Sequence, residues 1–316
     1  MLGYYVHHLS PFIFQLPNGF GPRWYGLAYV LAFVLGTLLY RRLAERGYSE
    51  IEPGKVSDFI TWSALFGVLL GGRLGYFLFY DWNGFASDPT VFFRVWEGGM
   101  ASHGGIIGLF FYTLWYAWRH KISWTGLGDN LVVVAPLGIF FGRMANFING
   151  ELYGRKTQVP WAMQFPAELQ DAGAWSEEAW ARAQGVLATF PGSAGWTLDR
   201  FVVEARSSVE LRELLAGILA PRHPSQLYAA ALEGLLLFAV LWWVRTRCKV
   251  RNGVLTGLFF IGYAVVRIAG EHFREPDAGL IGSLTRGQFY SVFMILIGAG
   301  FLIWSRRSAP SKNRHV

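Results

Sequence analysis

Seven apolar runs, each long enough to cross a bilayer, constrain this chain more than any other feature. Crossing the hydrocarbon core takes about 20 helical residues. The runs fall near 24–41, 58–80, 101–118, 130–149, 225–244, 254–272 and 287–305. In lipid every backbone polar group must be satisfied within its own segment, so runs of this length read as helices. The composition agrees: of 316 residues 53% are hydrophobic and 16% charged, against about 25% charged in soluble domains. The expected fold is an all-α polytopic membrane protein with seven transmembrane helices. The third run is the weakest, because Gly104, Gly105 and Gly108 interrupt its start.

Basic residues set the expected orientation. Arg41, Arg42, Arg46 and Lys55 follow the first run, and Arg119 and Lys121 the third. Arg245, Arg247, Lys249 and Arg251 follow the fifth, and Arg306, Arg307, Lys312 and Arg314 close the chain. The alternate short connections hold only Arg23, Arg94, Arg274 and Arg286. Lysine and arginine concentrate on the cytoplasmic side, so the N-terminus is expected outside and the C-terminus in the cytoplasm. The net charge of +7 is thus topological and does not form a nucleic-acid patch.

The expected organisation is an N-terminal arm with helices one to four over 1–149 and an extracytoplasmic head domain over 150–222. Helices five to seven follow over 223–306, with a basic cytoplasmic tail over 307–316. Residues 4–20 and 82–96 are short aromatic pieces suited to the outer interface. Residues 1–23 lack the basic-then-apolar pattern of a cleavable leader, so the first run is expected to act as its own insertion signal. Cys248 stands alone, which excludes an internal disulfide and a multi-cysteine metal site.

The polar residues inside the runs carry the functional information. In the fourth run an arginine and two asparagines, Arg143, Asn146 and Asn149, stand where the segment should still be apolar. An arginine at the bilayer centre costs about 2.5–3.5 kcal/mol on insertion scales. Arg143, Asn146 and Gly150 share one helix face at i, i+3 and i+7. A guanidinium fork beside an amide suits a phosphate or a carboxylate. In the sixth run Tyr263, Arg267 and Glu271 form a polar stripe at i, i+4 and i+8. Arg267 either pairs inertly with Glu271 or joins Arg143 in clamping an anion.

Other positions stay open between structure and function. Arg73, in Gly71-Gly72-Arg73-Leu74-Gly75-Tyr76, either snorkels outward or meets a headgroup through its glycine surroundings. His103, in Ser102-His103-Gly104-Gly105, is either a satisfied structural histidine or an accessible proton acceptor. In Arg222-His223-Pro224-Ser225-Gln226-Leu227-Tyr228, Ser225 is expected to cap the fifth helix, with His223 and Gln226 directed toward the same region. No metal-ligand spacing, P-loop or nucleophile elbow appears.

These residues point to an anion in the membrane plane, and a phospholipid headgroup fits. Two classes remain on this reading: an enzyme acting on a phospholipid, and a transporter of an anion or lipid. The large extramembrane segment and the lack of an inverted repeat favour the enzyme.

The block Gly142-Arg143-Met144-Ala145-Asn146-Phe147-Ile148-Asn149-Gly150-Glu151-Leu152-Tyr153-Gly154 resembles the signature of bacterial phosphatidylglycerol–prolipoprotein diacylglyceryl transferases. Further blocks resemble the same family in order along the chain. They are Trp24-Tyr25-Gly26, the glycines around Arg73, Phe93 through Met100, Ser102 through Gly105, Arg222 through Tyr228, and Ile261 through Asp277.

The resemblance implies transfer of a diacylglyceryl group from phosphatidylglycerol to the lipobox cysteine of a preprolipoprotein signal peptide. A thioether forms and glycerol 1-phosphate leaves. It also implies location in the bacterial inner membrane among membrane lipids, and no cofactor. His103 is then the candidate base, and Arg143 and Arg267 hold the phosphate. Tyr25, Asn146, Glu151 and Tyr263 belong to the essential set, and Gly154, Arg73 and Glu271 to the phosphatidylglycerol site. Two departures stand out. Residues 167–221 are longer than usual, and Ala229 replaces a common acidic residue, with Glu233 a turn later and expected to lie apart from the chemistry.

Overall fold

The structure is a computed structural model that describes residues 3–16, 19–94, 98–276 and 279–307. Val95, Trp96, Glu97 and Asp277 of the motif blocks, and the tail beyond Arg307, lie outside the described residues. Among the described residues, six helices are long and apolar enough to cross a membrane. They are α1 (Trp24–Glu45), α2 (Pro53–Phe79), α5 (Trp124–Asn149), α9 (Ser225–Arg247), α10 (Val254–Glu271) and α11 (Arg286–Ser305). Between α2 and α5 lie the short α3 (Trp82–Ser87) and α4 (Ser102–His120). The third expected span is therefore helical, but it falls short of the six in apolarity. Its glycines, its terminal Arg119 and His120, and its tyrosines and tryptophans dilute the aliphatic content.

The chain forms two compact units, one of residues 34–135, 238–260 and 297–316, the other of 1–33, 136–237 and 261–296. In the first, α2 and α4 cross backbone to backbone. A Cβ on Gly67 would come 2.9 Å from Leu109 Cα, one on Gly71 2.9 Å from Gly108 Cα, and one on Gly75 2.5 Å from Gly104 Cα. Glycines at i, i+4 and i+8 thus let the helices approach through dispersion contact alone. An aromatic core of Tyr40, Phe59, Tyr112 and Tyr116 packs with Val56, Leu127 and Val134. Buried Asp129 accepts from the backbone N–H of Gly253 and Thr256, each at 2.8 Å. It thereby satisfies the orphan donors that begin α10.

In the other unit, residues 150–222 carry three short helices: α6 (Glu177–Leu187), α7 (Leu198–Glu204) and α8 (Val209–Ala216). Ser176, Thr197 and Ser208 cap them, each accepting a backbone N–H three residues on. They enclose a cluster of Leu169, Leu187, Phe201, Leu211, Leu215 and Leu219. Buried Arg222 pairs through two nitrogens with Glu168, at 2.8 and 2.9 Å, and donates to the Gly154 carbonyl at 3.1 Å. The first strand, β1 (Tyr5–Val6), runs parallel to β2 (Met163–Gln164). His7 next to it is buried, stacks on Phe165 and meets Phe147 edge-on.

Candidate functional site

The fourth apolar run ends in a turn built for a purpose. Gly150 takes φ +72° and Leu152 φ +55°, so α5 stops abruptly and the chain doubles back. Glu151 N–H donates to the Asn146 carbonyl at 3.1 Å. The Asn146 amide donates to Glu151 Oε1 at 2.7 Å and faces the Tyr25 hydroxyl at 3.3 Å. Gln226 Nε2 donates to the Glu151 carbonyl at 2.7 Å. Tyr25, Asn146 and Glu151, expected to act together, are thus brought together.

One turn earlier on α5, Arg143 donates through Nε and Nη2 to Glu233 Oε2, at 3.2 and 2.9 Å. Arg267 on α10 donates Nη1 to the other oxygen, Oε1, at 3.4 Å, and its Nη2 meets Glu271 Oε1 at 2.5 Å. Tyr263 hydrogen-bonds Arg143. Two arginines from two helices therefore converge on one carboxylate from a third. The Glu233 side chain is 1% exposed and each arginine 16%. Removing one member of a buried pair typically costs about 3–5 kcal/mol, so this cluster holds itself in place. Arg267 pairs with Glu271, and it shares the Glu233 carboxylate with Arg143.

Gly154 lies where no side chain fits. Its N–H donates to the His223 carbonyl at 2.9 Å. A Cβ there would meet the Phe273 carbonyl, and would come 2.6 Å from the His223 carbonyl and 2.8 Å from His223 Cβ. Ser225 departs from expectation. It is the first helical residue and not the cap, and its hydroxyl donates to the Leu152 carbonyl at 3.0 Å, tying α9 to the turn.

Arg73 and His103 belong to the other unit. Every donor of Arg73 goes to a backbone carbonyl: Phe92 at 3.0 Å, Gly99 at 3.0 Å, Arg94 at 3.4 Å, and Val91 and Gly98. Its guanidinium also lies 4.8 Å from the Phe77 ring centre. Arg73 is buried as a clasp on this loop. His103 stands exposed on the first turn of α4.

Glu233 is the functional residue that the sequence reading set aside. The signal was available: an acidic residue within the apolar run 225–244 is as anomalous as Arg143, by the same rule. Gln226 and Arg274 also border the arginine pair, lining a crevice of about 10 Å³ with Arg143, Glu233, Arg267 and Ser225. Among the described residues, no group of three histidine, cysteine or acidic side chains is placed to hold a metal ion.

The family model described as prolipoprotein diacylglyceryl transferase matches residues 11–304. Relatives carry the name phosphatidylglycerol–prolipoprotein diacylglyceryl transferase. One, from Rhodospirillum centenum, is 42% identical over 89% of this chain and 86% of its own. Another, from Nitratidesulfovibrio vulgaris, is 40% identical over 91% of each. A third, from Bdellovibrio bacteriovorus, is 37% identical over 96% of this chain and 95% of its own.

Proposed function

The chain belongs to the prolipoprotein diacylglyceryl transferase family, and from that premise we propose that it transfers the diacylglyceryl group of phosphatidylglycerol to the lipobox cysteine of a preprolipoprotein. The observation that carries the site assignment is the convergence of Arg143 and Arg267 on a single anion position. The transporter reading is set aside, because the relatives are transferases.

The reaction is a substitution at carbon. A C–S bond forms between the cysteine and the glyceryl carbon, and the bond from that carbon to the phosphate oxygen breaks. Glycerol 1-phosphate leaves. Thiolate is the nucleophile, so the thiol proton must go to a base, the role assigned to His103. Charge grows on the departing phosphate, where fixed donors contribute most. Arg143 and Arg267 are those donors, with Glu271 holding Arg267. Asn146, Tyr25 and Glu151 shape the turn beside them, and Tyr263 orients Arg143. Gly154 keeps the backbone close.

The finer architecture belongs to the same proposal. Helix α4 is the third of seven spans, the N-terminus is extracytoplasmic, and residues 150–222 form a head on the outer side. The membrane is the bacterial inner membrane, where lipid substrate and signal peptide meet. The test is incubation of the purified protein with phosphatidylglycerol and a lipobox peptide. The expected product is a peptide heavier by one diacylglyceryl group and resistant to thioester cleavage. An unmodified peptide would reject the assignment.

A further inference from the structure

Glu233 occupies the position where the two arginines can bind an anion. Each of its oxygens faces a different guanidinium, Oε2 toward Arg143 and Oε1 toward Arg267. A phosphodiester likewise offers two charged oxygens on one centre, and arginine forks match either group. The crevice beside this cluster measures about 10 Å³, no more than one water needs. Glu233 thus takes the place between the two guanidiniums that a phosphate would fill.

Arg267 also forms an ion pair with Glu271, Nη2 to Oε1 at 2.5 Å, and its contact to Glu233 is the longest of the three made by that carboxylate, at 3.4 Å. Glu233 lies within a π-helical stretch of α9, Ala230–Leu236, of the kind often found at functional sites. Its neighbour Gly234 is fixed, since a Cβ there would come 2.6 Å from Phe140 Cβ. The helix is thus locked, so any exchange at this position falls to the carboxylate side chain. Arg274 lines the same crevice, so a displaced carboxylate stays within reach of positive charge.

We propose that Glu233 is an internal counter-ion that fills the phosphate seat of Arg143 and Arg267 in the empty enzyme and is exchanged for the phosphate of phosphatidylglycerol. The proposal rests on the phosphate role given above to the two arginines. It gives the carboxylate two tasks. An arginine pair buried without an anion is strongly unfavourable, and Glu233 removes that cost between turnovers. Its return also expels glycerol 1-phosphate, whose anionic group would otherwise remain paired.

The experiment uses the full-length purified protein and sn-glycerol 1-phosphate as probe, with Glu233→Gln beside Arg143→Ala. Glu233→Gln keeps the shape but removes the competing charge. It is expected to bind glycerol 1-phosphate about tenfold more tightly than the wild type. Its KM for phosphatidylglycerol should fall, and kcat should fall with it as product release slows. A Glu233→Gln protein with unchanged or weaker affinity and an unchanged or raised KM would overturn the exchange and leave Glu233 as a strut. If that variant does not accumulate folded, Glu233→Asp retracts the charge by one methylene and should show a smaller tightening; unchanged affinity there overturns the proposal equally. Arg143→Ala tests the underlying reading separately. Wild-type affinity for glycerol 1-phosphate in that variant would remove the phosphate role itself, whatever Glu233→Gln does.

Discussion

The side-chain amide of Asn146 donates to the carboxylate of Glu151 across 2.7 Å, joining the last turn of a membrane helix to the loop that follows it. A hydrogen bond to a charged group contributes about 1.5–3 kcal/mol. Asn146→Ala also frees the Tyr25 hydroxyl from its contact at 3.3 Å. The expected result is a folded protein with transferase activity reduced at least about tenfold. Activity on phosphatidylglycerol, compared at equal amounts of folded protein, checks it. Wild-type turnover would show that the turn tolerates the loss.

Arg143→Ala removes the double contact to Glu233 and one of the two donors given to the phosphate. Removing one such donor lowers kcat by about 10²–10³-fold in other enzymes, and a loss on that scale is expected here. His103→Gln is expected to abolish thioether formation while the protein still inserts. The pH–rate profile of any residual activity separates its roles: an unaltered profile marks a positioning residue, and loss of one limb marks the base.

Gly154→Ala places a methyl against two backbone carbonyls, those of Phe273 and His223. Neither is a flexible side-chain end, so the backbone must move. Overpacking of this kind typically costs about 1–3 kcal/mol. A lowered melting temperature with a sharp loss of turnover is expected, and thermal unfolding in detergent together with the peptide assay reads both. An unchanged melting temperature would mean that the backbone segments around Gly154 part without strain.

His7 predicts a pH dependence of the N-terminal segment. Burial holds its imidazole down at about 4, from an ordinary value of 6.5. The folded segment therefore stays neutral where the unfolded one takes up a proton. Stability is fully present above pH 6.5 and is lost as pH falls from 6.5 toward 4, by about 3 kcal/mol in total. Limited proteolysis near residues 3–16 should accelerate over that range in the wild type and stay level in His7→Phe. Equal rates in both proteins would exclude His7 as the cause.

The apolar runs made the long helices legible, because a 20-residue segment without charge has few other options. Arg143, Asn146 and Arg267 were legible for the converse reason: each is costly where it stands. Glu233 is as anomalous in its apolar run as Arg143, but the anomaly alone names no partner. Its meaning depends on which helices meet, and the spacing within one run cannot supply that. Arg73 is the opposite case. Its glycine setting suggests an open approach for a ligand, yet those glycines lie where α2 meets α4, and loop carbonyls take up its donors. The three capped helices of 150–222 follow from Ser176, Thr197 and Ser208. The long-range pairing of that segment with residues 5–6 has no signature in either stretch.

That pairing has a consequence for biogenesis. Tyr5 and Val6 pair in register with Met163 and Gln164, so the first strand has no partner until more than half the chain has been made. At roughly 5–20 residues per second the wait is on the order of 10–30 s. His7, whose N–H donates to the Gln164 carbonyl at 2.8 Å, packs its ring 3.0 Å from the Cβ position at Gly150. The loop carrying Glu151 therefore acquires its support after synthesis has passed it. The turn beside Arg143 is therefore finished by the first residues of the chain, and only once Met163 and Gln164 have emerged to pair with them.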